Sequence, residues 1–121
     1  MPSGHSTMDV MELLQRLALN DEPTVRLVVG AGRAGTVAAL DAKSAALVRL
    51  GALLSVGAAT ASCRVTVEVA RAAGATDQEI VAVLVAVAPV VGGARVVEAA
   101  PRLALAIDLD VEALDEPFES H

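Results

Sequence analysis

The sequence predicts an all-α fold, a compact bundle of about six helices, and three observations carry that prediction. Helix-boundary residues recur at regular intervals: Asp41, Thr60 and Thr76 as N-terminal caps, Gly57 and Gly74 as C-terminal stops. Residues 8–19 place Val10, Leu13, Leu14, Leu17 and Ala18 on a stripe with the 3.6-residue period. The apolar fraction is 55%, yet Phe118 is the single aromatic residue. A core of Ala, Val and Leu lets helices approach closely, each side chain burying little area.

In chain order, residues 1–6 read as a disordered start, 7–107 as a single helical domain and 108–121 as an acidic tail. Thr7 offers a cap to a helix over 8–19, which the stretch Asn20 to Pro23 ends. Residues 25–29 fit a short strand or a helical turn, and the glycines after them fit a loop. Asp41 opens a helix over 42–56 that Gly57 closes. Thr60 opens one over 61–73 that Gly74 terminates. Thr76 and Glu79, in T-D-Q-E, make a capping box for a helix through residue 88, with Pro89 at the following break. A last helix over 90–106 is expected to bend at Pro101, whose ring removes a backbone donor.

One segment pulls the other way. Residues 80–88, I-V-A-V-L-V-A-V-A, are rich in β-branched side chains and alternate like a buried strand. The capping box in front of them favours a helix. A helix apolar all round must be covered on all sides, which points to a central position or to other subunits.

Composition excludes several functions. A net charge of −6 opposes nucleic-acid binding, and no Trp or Tyr is present to stack on a base. The longest uncharged run, residues 80–94, is short of the roughly 20 residues a membrane span needs. The polar start of the chain lacks the apolar stretch of a signal peptide. Cys63 is the lone cysteine, so no internal disulfide forms and a cytoplasmic setting follows. His5 and His121 lie near the two ends, which leaves no metal-ligand cluster and no expected cofactor.

Few residues are left to carry chemistry. Gly30, Gly32 and Gly35 spell the minimal dinucleotide fingerprint, but no second strand ending in an acid follows them. Connecting-loop glycines are the better reading. Cys63, near a helix start, is either a thiol activated by the helix dipole or a small buried hydrophobe. Arg64, Glu68 and Arg71 stand at spacings of four and three, as an exposed ion-pair ladder would; Arg95 and Glu98 share a face in the same way. Arg95 follows two glycines at the end of an apolar run, so it is also a candidate to hold a carboxylate.

Three stretches, L-D-A-K-S-A-A-L-V-R-L, A-R-A-A-G-A-T-D-Q-E-I and V-A-P-V-V-G-G-A-R-V-V-E-A-A, resemble the carboxymuconolactone decarboxylase and alkylhydroperoxidase D-like family over residues 40–107. The resemblance implies an all-helical fold and assembly into homo-oligomers, trimers or hexamers. Counted back from Gly74, the C-x-x-C-x-x-x-H of the peroxidase branch falls on Ala59, Ser62 and Thr66, so all three redox positions are replaced. The decarboxylase branch also keeps a His where Thr66 stands. Cys63 lies one residue past the second cysteine position, about 100° round a helix. The resemblance puts Ser62, Cys63 and Thr66 on the face lining the family's pocket, and with Arg95 they are the candidate site residues. Two functions follow as expectations. One is a diverged, redox-inactive scaffold or small-molecule binding protein. The other is a non-redox decarboxylase, isomerase or lyase acting on a small carboxylate or lactone.

Overall fold

A computed structural model describes residues 9–31 and 39–109. Six helices form and no strand is present among these residues: α1 (Val10–Ala18), α2 (Glu22–Ala31), α3 (Ala42–Val56), α4 (Thr60–Ala72), α5 (Asp77–Val91) and α6 (Gly93–Ala106). The chain divides into two compact units, Met1–Val37 and Ala38–His121. The expected N-terminal disorder, the Thr7 cap, Gly32, Gly35 and most of the acidic tail lie outside the described residues.

In the first unit, Asp9 caps α1, its carboxylate accepting the Met11 N–H at 3.4 Å. Glu12 and Arg16 pair at 2.9 Å one turn apart. The segment left open between strand and helix, residues 25–29, is helical within α2. Thr24 is buried there and its hydroxyl donates to the Asp21 carboxylate.

In the second unit, α3 packs on α4, α4 on α6, α6 on α5 and α5 back on α3. The core inside this ring comprises Ala46, Leu50 and Leu54 of α3, Cys63, Val67 and Ala70 of α4, Ile80 of α5, and Ala99 and Leu103 of α6. Small residues set the spacing. A Cβ on Gly51 would stand 3.4 Å from both Val83 and Val87, so an alanine there would just reach van der Waals contact with α5.

The helix ends follow the caps with three corrections. Asp41 accepts the Ser44 N–H at 2.7 Å, and Gly57 closes α3 in the left-handed region at φ 75°. Thr60 is already helical. Ala59 is the N-cap of α4, with no side-chain hydrogen bond, and its carbonyl accepts from Ser62 and Cys63. Pro89 does not break the chain. A proline's missing N–H costs the helix one hydrogen bond, here to the carbonyl four residues back, and α5 runs on to Val91. The break comes at Gly92, whose φ of 86° no helix accommodates, so α6 starts at Gly93 and continues through Pro101.

Residues 80–88 are helical despite their strand-like composition, because the capping box forms in full. Thr76 Oγ1 accepts the Glu79 N–H at 3.0 Å and Glu79 Oε1 accepts the Thr76 N–H at 2.9 Å. The other Glu79 oxygen takes Lys43 Nζ at 3.1 Å and ties the start of α5 to α3. Only Ile80 of α5 is fully buried; Val81, Val85 and Val90 are exposed. The expected ladder on α4 is half formed. Arg71 pairs with Glu68 at 3.5 Å and with Asp77 at 3.0 Å, while Arg64 turns to Asp108 at 2.9 Å and to the Leu105 carbonyl. Asp108, read as the first residue of the tail, is thereby pinned to α4.

Candidate functional site

The periodicity of α4 decides what each candidate residue meets. Cys63, Val67 and Ala70 recur at helical spacing and point into the core. Cys63 is 0% exposed. Burial pushes its thiol above the usual range, against a smaller downward pull from the Arg102 charge. A thiol in that setting is a poor nucleophile, since the thiolate is the reactive form. Ser62, one position earlier, faces outward and is exposed. Ala59 at the N-cap is exposed as well. Ala59 and Ser62 therefore present a methyl group and a hydroxyl at the surface, and the one thiol lies in the core.

Thr66 is half-buried and lines a recess with Arg49, Ala52, Leu53 and Val56 of α3. The recess measures about 370 Å³. Its walls are almost wholly aliphatic, the methylenes of Arg49 and the methyl of Thr66 included. Arg49 was not singled out in the sequence, though a signal was there. It sits mid-helix with Ala45, Ala46, Ala52 and Leu53 at the three- and four-residue spacings where an acidic partner would stand.

Arg95 lies apart from these residues. It lines a separate recess of about 390 Å³ with Val91, Ala94 and Glu98, and it pairs with Glu98 as the spacing indicated. Its guanidinium also lies against Gly57, and Arg102 donates to the Gly57 carbonyl at 3.0 Å. Two cations thus meet the C-terminus of α3, where the helix dipole and the last carbonyls are negative. Arg95 has a structural occupation at each end of its reach. A third recess, about 430 Å³, runs between α3 and α5 past Leu47, Val48, Gly51, Ala52, Val83 and Val87. It shares Ala52 with the Arg49 recess. Among the described residues, no three His, Cys, Asp or Glu side chains converge as metal ligands would.

A ring of four short helices sealed by small residues, with a capping box after a Gly-terminated helix, defines a class of small all-helical proteins. The model of the carboxymuconolactone decarboxylase family matches residues 25–105, and the chain belongs to that family. No curated protein matches the chain, and no solved structure does.

Proposed function

We propose that this family member is a cytoplasmic, homo-oligomeric small-molecule binding protein that performs no thiol redox chemistry. The observation that carries the reading is how α4 distributes its side chains: the only thiol is sealed in the core, while Thr66 opens onto an apolar recess. A dithiol cycle needs two thiols within reach of each other and of substrate, and neither condition is met by one buried cysteine. Pockets of a few hundred Å³ with mostly apolar walls and a few placed polar groups suit small ligands. The alternative, a non-redox enzyme on a small carboxylate or lactone, drew on Arg95 as the charge-holding group; the Glu98 carboxylate already engages it.

Assembly into trimers or hexamers belongs to the same reading. Val48 on α3, which lines the α3–α5 recess, and Val81, Val85 and Val90 on α5 are exposed large apolar side chains, and exposed apolar surface beyond a scattered residue marks protein–protein contacts. A lone cysteine that needs no oxidising compartment supports the cytoplasmic setting. The test is native thiol titration beside a hydroperoxide turnover assay with a dithiol reductant. Cys63 is expected to react with Ellman's reagent only after denaturation, with no peroxide consumed. Rapid native labelling, or turnover abolished by Cys63→Ala in a folded protein, would overturn the reading.

A further inference from the structure

α4 is apolar on two faces. Its inner face, Cys63, Val67 and Ala70, belongs to the core. On its outer face Ala61, Val65, Val69 and Ala72 recur at intervals of four, four and three, and all are exposed, Val65 at 64% and Val69 at 50%. A helix on a protein surface ordinarily turns a polar face outward. The last described residue, Leu109, lies at the flank of this stripe. Arg64 donates to Asp108 at 2.9 Å and to the Leu105 carbonyl at 2.7 Å, and Arg71 donates to the Ile107 carbonyl at 3.3 Å. These bonds set the end of α6 against α4, so the chain leaves toward residue 110 from the side of the helix that carries the stripe's basic edge. The residues that follow read D-V-E-A-L-D-E-P-F-E-S-H. Val111, Leu114 and Phe118 stand three and four apart, the same spacing as the stripe. Around them stand Asp110, Glu112, Asp115, Glu116 and Glu119, with no Lys or Arg, whereas α4 carries Arg64 and Arg71 against the single acid Glu68.

We infer that residues 110–121 dock on the outer face of α4 of their own chain, laying Val111, Leu114 and Phe118 over Val65 and Val69 with their carboxylates toward Arg64 and Arg71. The apolar side chains supply the attraction by leaving water together. The charges set the direction, since exposed ion pairs add little energy of their own. Reach is sufficient in any conformation. From Leu109 to Phe118 the chain spans about 14 Å if helical and about 30 Å if extended, against about 12 Å along α4 from Arg64 to Ala72. Tethering at Asp108 holds the segment beside its own α4 at high effective concentration, which favours that helix over the same face of another copy.

The test is acrylamide quenching of Phe118→Trp in the full chain, where the sole aromatic residue becomes the sole indole. Quenching is expected to be roughly threefold weaker than in the urea-unfolded chain, as for a segment docked about two-thirds of the time. It should not change on roughly hundredfold dilution, because the contact is intramolecular. Adding Val65→Glu and Val69→Glu should return quenching to the unfolded value, with helicity by circular dichroism retained because both positions are exposed. Val65→Ser alone should return part of it, and it serves if the double variant unfolds. Val85→Glu, on α5, should leave the protection as it was. A fully quenchable indole would overturn the inference. So would protection that survives the α4 substitutions or is lost equally with Val85→Glu. Protection that disappears on dilution would assign the face to the tail of a second copy and overturn it as well.

Discussion

Asp41 and Glu79 show what a single carboxylate does at a helix start. Asp41 accepts the Ser44 N–H at the head of α3, and that backbone hydrogen bond holds its carboxyl below the ordinary 3.8. Glu79 is held below 4.5, first by the Thr76 N–H and then by Lys43. Both groups prefer to be ionised in the folded chain. Each contributes stability that is present above its unfolded pKa and lost as pH falls through the lower folded value. Urea midpoints should therefore decline between about pH 5 and pH 3. The double variant Asp41→Asn, Glu79→Gln keeps hydrogen-bonding caps but lacks the charge contribution at every pH, so it should start below wild type at pH 7 and decline less over that window. An unchanged slope would show that other carboxylates govern acid unfolding. Cys63 illustrates the opposite lesson: its identity drew a functional reading, and its position in the helix repeat made it core.

At the scale of the element, boundaries were readable wherever one local device dominates. Asp41, Gly57 and the T-D-Q-E box mark α3 and α5 because a carboxylate, a left-handed glycine and a reciprocal pair each satisfy specific backbone groups. Pro89 misled because a proline signals a lost donor, whereas stopping a helix takes a backbone angle of the kind Gly92 adopts. The recess was only half readable. Thr66 came from family spacing, and Arg49 required knowing that the α3 face beside it packs along α4. Gly57 is where two such demands coincide. Its φ is 75°, and a Cβ would collide with Arg95 Nη1. Gly74, at φ 101°, has nothing near it. Gly57→Ala should destabilise by more than Gly74→Ala, whose cost is the left-handed strain alone, about 1–2 kcal/mol. Chemical denaturation of the two variants checks the order, and equal losses would mean that the Arg95 side chain yields freely.

For the whole molecule, the exposed valines of α5 are the main liability. Val85 is 68% exposed and Val90 86% on a helix whose only fully buried residue is Ile80. If copies of the chain cover Val85, Val85→Glu should convert the assembly to a 12.2 kDa particle in light scattering with helicity retained, since Val85 is not among the core residues of the protomer. A wild type already monomeric at micromolar concentration would remove the basis for that expectation. The convergence of Arg95 and Arg102 on Gly57 has a bearing on how such a chain drifts over generations. Position 57 is held by its own φ of 75°, which strains any L side chain whatever the space around it, while a Cβ there would meet only the flexible end of Arg95. The two positions are thus bound unequally, and relatives should keep the glycine even where the long basic side chain opposite it has been replaced.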